Sequence, residues 1–239
     1  MLRVSEVYPS VQGEGPRVGS PTIFVRFAGC NLRCPGWPCD TPHAIDPRKY
    51  RNEWRLLDTY SVTELVCAEG PSGANICFTG GEPFLQPSND LEELIERLSD
   101  RGFTIFEIFT NGTRPFPYWT SELAYIIMDW KLPGSGEEAE DLLAERHSNV
   151  MGLGPEDVIK FTVKDHKDLS RASWTWSELQ ARFRQADRIE AEWPKVFCGP
   201  VWGKMDAADV ADWILEHEPS WRLNLQTHNI IWDRNQRGI

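Results

Sequence analysis

Residues 21–41 read PTIFVRFAGCNLRCPGWPCDT, and the fold turns on how this stretch is read. "PTIFVRFAG" (21–29) is rich in β-branched and aromatic residues, which predicts a strand. It runs directly into a loop that carries Cys30, Cys34 and Cys39. The Pro and Gly of "PGWP" (35–38) predict a turn between the second and third thiols. A strand that delivers reactive groups at its C-terminal end is characteristic of parallel α/β sheets.

The rest of the chain repeats that pattern. Further strands are predicted at 75–83, 103–113, 123–136, 157–165, 195–203 and 221–232. Between them, helical spacing is found at 61–69, with Ser61 as its cap, and within 173–184. A helix at 88–102 puts Leu91, Leu94, Ile95 and Leu98 on one face and stops at Gly102. A capped helix is predicted at 206–218, and the charged stretch 136–149 reads as an exposed loop and helix. Residues 42–60 are polar and aromatic without a clear period and read as an insertion. Strands alternating with helices argue for an α/β fold with a largely parallel sheet, built as one domain over 1–239. The polar motifs "TGGEP", "TNGT", "DWK", "CGPVWG" and "QTHN" fall at predicted strand ends, where such sheets place function.

Composition narrows the function. Lys and Arg number 25 against 36 Asp and Glu, a net charge of −11, which argues against a nucleic-acid backbone as partner. No run of about 18 apolar residues is present, so no membrane span is expected. "MLRVSEVYPS" lacks the apolar run of a signal peptide, and a cytoplasmic protein is expected. In that compartment clustered cysteines are metal ligands or catalytic groups more often than disulfides. The eleven tryptophans are scattered, as packing residues would be.

The cysteines alone leave several readings open. A structural zinc site needs a fourth ligand, such as His43. Redox chemistry favours Cys-x-x-Cys, which is not the spacing here. Chance proximity is a third reading. The fourth is a 4Fe–4S cluster held by three thiolates, with one iron left for a ligand. Cys67, Cys77 and Cys198 have no such context and read as ordinary core cysteines.

The neighbouring motifs shift the balance. "QGEG", "FVRFAGCNLRC", "CDT", "TGGEP", "TNGT", "DWKLPGSG", "VKD" and "LQTH" occur in that order between residues 8 and 229. In this the chain resembles the 7-carboxy-7-deazaguanine synthases, a family of radical S-adenosylmethionine enzymes. The resemblance implies an incomplete β/α barrel and a homodimer. It implies a 4Fe–4S cluster on Cys30, Cys34 and Cys39, S-adenosylmethionine on the open iron, and magnesium held by Thr41. The cofactor contacts it implies are Gly80, Gly81, Glu82, Asn111, Asp129, Trp130, Lys131, Gly199 and Pro200. Physically, the two glycines allow a close backbone approach, and Glu82 can accept from an ammonium.

The implied substrate is 6-carboxy-5,6,7,8-tetrahydropterin, converted by radical ring contraction and loss of ammonia into 7-carboxy-7-deazaguanine. An electron donor is also required. Arg26 suits the substrate carboxylate, and His228 adds a positive or donor contact. Gln12, Gly13, Glu14, Thr79 and Gln226 complete the expected substrate site.

The chain departs from the family in three places. Its cysteine spacing is x3 then x4, where x3 then x2 is usual. Phe109 stands where a Glu usually precedes "TNG"; Glu107, two residues earlier on the same strand face, is the expected substitute. Eleven residues follow His228, so the substrate contact of the family's terminal carboxylate is not assigned to Ile239. The rivals are a glycyl-radical activase, against which "QGEG", "CDT" and "QTH" argue, and a zinc-stabilised binding module.

Overall fold

The structure is a computed structural model that describes residues 1–37, 39–137, 139–233 and 236–238. The strands are β1 (Leu2–Val11), β2 (Pro21–Phe27), β3 (Arg55–Leu57), β4 (Asn75–Gly80), β5 (Phe106–Thr110), β6 (Tyr125–Trp130), β7 (Val158–Val163), β8 (Lys195–Pro200) and β9 (Arg222–Leu223). Among the described residues they form one sheet in the order β3-β1-β2-β4-β5-β6-β7-β8-β9. From β2 to β9 every pairing is parallel; β1 pairs antiparallel with both β2 and β3. The sheet does not close, so the barrel is incomplete, as the resemblance implies.

The parallel strands are apolar because both faces are covered. Ile76 and Phe78 of β4, Ile108 of β5 and Ile159 and Phe161 of β7 are all buried in one core. The helix Ser88–Asp100 packs onto it through Leu91, Leu94, Ile95 and Leu98, and Gly102 follows in the left-handed region at φ +88°. Trp119, Trp130, Trp176, Trp193 and Trp221 are buried, in line with packing, whereas Trp174 and Trp202 are exposed.

Several expectations change. β1 is a ten-residue strand that the predicted set lacks. The helix at 61–69 begins at Thr59, and its cap is Asp58, whose side chain accepts from Ser61 N at 2.7 Å. The helix within 173–184 spans His166–Gln185; its first turns are polar, with Leu169 and Ala172 as their buried apolar residues. In the helix expected at 206–218, Asp206 sits at the N-cap of Ala207–His217 without a side-chain cap bond. Residues 221–232 are not one strand. Only Arg222 and Leu223 pair with β8, and His228–Ile231 is a helical turn that leaves Ile230 and Ile231 exposed. The segment 42–60 holds short helices at Pro42–Ile45 and Pro47–Tyr50, and its β3 becomes the edge of the sheet.

The helix Glu140–Val150 is not simply exposed. Arg146 is fully buried and donates to the carbonyls of Asn111 and Glu137 at 3.3 and 3.1 Å. Asn149 donates to Gly112 O and Arg114 O at 2.9 and 2.8 Å. This helix therefore clamps the loops after β5 and β6 from behind.

The cysteine loop is fastened on both sides. Gly81 N donates to Phe27 O at 3.0 Å and Glu82 N to Gly29 O at 2.8 Å. A Cβ on Gly81 would lie 1.8 Å from Gly29 O, so the close approach these glycines allow is to the chain's own backbone. On the other side Gly36 N donates to Ser135 O at 2.9 Å, and a Cβ on Gly36 would lie 1.8 Å from Gly134 O. Glu137 Oε1 accepts from Arg33 N and Cys34 N, both at 2.6 Å. The "PGWP" turn is closed by Trp37 N on Cys34 O at 3.3 Å; Pro38 lies outside the described residues.

Two substitutions test this account. Leu94→Ala is expected to destabilise the protein by about 2–5 kcal/mol in urea unfolding. Gly81→Ala is expected to cost about 1–3 kcal/mol through overpacking, and to lower the iron taken up on anaerobic reconstitution. A Gly81→Ala variant with wild-type stability and iron content would show that this turn does not hold the loop.

Candidate active site

The loops after the parallel strands surround a cavity of about 510 Å³ at the C-terminal end of the sheet. Cys30, Cys34 and Cys39 all line it, and none is in a disulfide. Cys34 sits at φ +45°, a left-handed conformation in a non-glycine residue that lets the loop reverse. Cys30 Sγ accepts from Leu32 N at 3.4 Å. Burial pushes the thiols of Cys30 and Cys34 up to about 11, and burial together with Asp40 raises Cys39. Ligation by these groups therefore releases protons.

Among the described residues no three His, Cys, Asp or Glu side chains converge as a single-ion site requires. His43, the candidate fourth ligand for zinc, already engages Glu6 through Nε2 at 2.9 Å. Three thiols facing one cavity without a fourth protein ligand fit a polynuclear cluster with an open position.

Next to the thiols lie Gly80, Gly81, Asn111, Asp129 and Lys131. Asp129 Oδ2 pairs with Lys131 Nζ at 2.8 Å and with Lys160 Nζ at 3.5 Å, while its buried Oδ1 has no partner. Burial opposes the charge on Asp129, but the two lysines outweigh it and its pKa is lowered. An unpartnered buried acceptor fits a ligand that brings N–H or O–H groups, as the amine or ribose of S-adenosylmethionine does.

Four of the expected cofactor residues lie outside this lining. Glu82 is fully enclosed and accepts from Phe84 N, Thr110 Oγ1 and Asn111 N at 3.0, 2.8 and 2.7 Å. It holds the "TNGT" loop in place. Trp130 points the opposite way from Asp129 and meets His147 edge-on at 5.0 Å. Gly199 packs under Asn224, whose carbonyl would lie 2.0 Å from an added Cβ; Gly199 and Pro200 both stay out of the cavity wall.

The same cavity is lined by Gln12, Gly13, Glu14, Arg26, Thr79 and His228. Glu14 pairs with Lys160 at 3.0 Å. Gly13 backs onto His228, which leaves no room for a Cβ there, and its carbonyl accepts from Thr227 N at 3.0 Å. Burial lowers the His228 pKa against the pull of Glu14 and Asp40, which disfavours the charged ring and leaves the donor contact open. Gln226 is absent from the lining, and its Oε1 accepts from Asn229 Nδ2 at 3.2 Å. Glu107 is fully buried beneath the cavity, bound by Gln12 Nε2 at 2.8 Å and Arg17 at 3.2 Å. Phe109 reaches the cavity wall, so Glu107 does not take its place there.

Thr41 lines the cavity beside the thiols, with Oγ1 3.5 Å from Cys39 Sγ. Sequence reasoning did not single out Glu6, Tyr8 or Lys160. The signal for Lys160 was a lysine inside the apolar run "VIKFTV". For Glu6 and Tyr8 it was the alternation of β1. Arg26 lies directly across from Glu6 in the β1–β2 ladder and pairs with it at 2.6 Å.

Known proteins resemble this chain in sequence and in fold. Residues 11–117 match the family described as "4Fe-4S single cluster domain". A 7-carboxy-7-deazaguanine synthase of Koribacter versatilis is 32% identical, covering 100% of both chains. One of Clostridium acetobutylicum is 31% identical over 99% of each. The crystal structure of QueE from Escherichia coli superposes with a TM-score of 0.66 at 23% identity, over 95% of this chain and 94% of that one, which shows the fold. With a relative above 30% identity aligned end to end, the chain belongs to the 7-carboxy-7-deazaguanine synthase family.

Proposed function

We propose that this chain catalyses its family's reaction on 6-carboxy-5,6,7,8-tetrahydropterin, giving 7-carboxy-7-deazaguanine and ammonia. The observation that carries the reading is one cavity lined both by three thiols and by an arginine–amide–carboxylate set. Bound at Cys30, Cys34 and Cys39, a 4Fe–4S cluster with S-adenosylmethionine supplies the electron-transfer step and the hydrogen-abstracting radical.

The chain's own residues bind, orient and enclose. Asn111, Asp129, Lys131 and the Gly80–Gly81 backbone face the cofactor. Arg26 meets the substrate carboxylate, and Gln12, Glu14, Thr79 and His228 match the donor and acceptor edge of the pterin. Phe109 gives a flat apolar surface to the ring. Lys160 lies between Glu14 and Asp129 and pairs with both carboxylates inside the cavity. Thr41 is the one hydroxyl offered to magnesium, which keeps waters and takes substrate oxygens for its remaining positions.

Glu107 and Glu82 act from outside the cavity, the first on Gln12 and the second on the loop of Asn111. A homodimer, an external one-electron donor and a cytoplasmic setting complete the reading. No helix among the described residues is long and apolar enough to cross a membrane.

Three outcomes are expected under anaerobic conditions. Reconstituted protein with reductant, S-adenosylmethionine and the carboxylated tetrahydropterin yields the deazapurine by chromatography and mass spectrometry. Formation of 5′-deoxyadenosine without any deazapurine contradicts the substrate. Cys39→Ala loses the cluster absorbance and turnover. Thr41→Ala keeps the cluster, while its rate in magnesium falls to that of the magnesium-free wild type.

A further inference from the structure

Arg26 does not lie free in the cavity. Its Nε donates to Glu6 Oε1 at 2.6 Å, and its Nη2 donates to the Tyr8 hydroxyl. The register of β1 on β2 makes this so: Glu6 faces Arg26 and Tyr8 faces Phe24, one pair along on the same face. Tyr8 is itself fixed by stacking on Phe24 at 5.2 Å and 11°. Glu6 Oε1 also meets His43 Nε2 at 2.9 Å. All four residues line the cavity.

A guanidinium has five N–H donors in a rigid plane. Glu6 and Tyr8 use one from Nε and one from Nη2. Among the described residues Nη1 has no hydrogen-bond partner, and one Nη1 hydrogen with the second Nη2 hydrogen makes up the end-on edge that a carboxylate accepts in bidentate fashion. His43 belongs to the 42–60 segment, for which the reaction offers no role. Its backbone carbonyl accepts from Trp54 Nε1 at 2.7 Å, and its ring meets Tyr50 edge-on, so the segment folds around it.

We propose that Glu6 and His43 are positioning residues that lock the Arg26 guanidinium edge-on to the substrate carboxylate, with His43 anchoring the lock to the 42–60 segment. The proposal rests on the reading that Arg26 meets that carboxylate. A locked fork selects a planar carboxylate in one orientation, because the arginine needs no reordering when the ligand arrives.

The test pairs protein variants with a ligand change. Cluster-loaded wild type, Glu6→Ala, Glu6→Gln and His43→Ala are titrated anaerobically, in the presence of S-adenosylmethionine, with 6-carboxy-5,6,7,8-tetrahydropterin and with tetrahydropterin lacking the carboxylate. Glu6→Ala is expected to raise Kd and KM for the carboxylated ligand at least about tenfold, the scale of a lost charge-assisted hydrogen bond, with a smaller change in kcat. His43→Ala is expected to raise them less. Glu6→Gln, which keeps an acceptor oxygen, is expected to recover part of the loss. The ligand without the carboxylate is expected to bind all four proteins alike.

Equal weakening of both ligands would make the role structural and overturn the proposal, as would an unchanged Kd for the carboxylated ligand. If Glu6→Ala does not load its cluster, Glu6→Gln and His43→Ala decide by the same comparison. Wild type that binds neither pterin would overturn the functional reading and this proposal with it. Wild type that binds the carboxylated pterin while the variants fail the ligand comparison would overturn this proposal alone.

Discussion

The site depends on the seating of the cysteine loop between two turns of main chain. Gly81 and Glu82 bond to the carbonyls at the end of β2 from one side, and the 134–137 segment bonds to Arg33, Cys34 and Gly36 from the other. These contacts are so close that neither Gly81 nor Gly36 has room for a Cβ. The loop cannot shift without breaking strand-end hydrogen bonds, so the three thiols are presented by the sheet rather than by a free loop. Glu82 and Arg146 extend the arrangement: one fastens the loop after β5 to this turn, the other fastens the loops after β5 and β6 to their helix.

Within that frame, charge is arranged in alternation. Glu14, Lys160, Asp129 and Lys131 follow one another along the cavity wall. Glu6 and Arg26 form a second balanced pair beside them. The protein is strongly acidic overall, yet Arg26, Lys131 and Lys160 in the cavity each have a carboxylate partner. Buried charges persist on these terms, because a lone one is expelled or neutralised. What remains unpaired is directional: Asp129 Oδ1 and the Nη edge of Arg26. These are the atoms that ligands can claim.

Much of the architecture is legible in the sequence, because buried parallel strands read as apolar runs ending in Gly-rich or polar motifs. "NICFTG" and "VIKFTV" are plain examples. The cysteine ligand set and the substrate end are legible as motifs. β1 escaped because "LRVSEVYPSV" mixes polar and apolar residues on two differently covered faces. The C-terminal stretch misled because Ile230 and Ile231 are apolar but exposed, and the chain just before them docks through Thr227 N to Gly13 O instead of extending a strand. The buried polar groups were the least legible. Glu82 looks like a ligand contact and proves to be a loop fastener. Lys160 was not singled out and lies at the centre of the charge chain. In both cases the deciding partner comes from a different strand, and sequence spacing carries no record of it.

The most direct test of the account is an anomalous difference map at the iron edge, from anaerobically grown crystals of the reconstituted protein with S-adenosylmethionine. The account predicts four-iron density in the cavity, bonded to Cys30, Cys34 and Cys39, with the fourth iron carrying no protein ligand. A single metal ion there, or a fourth bond from His43 or another side chain, would contradict it.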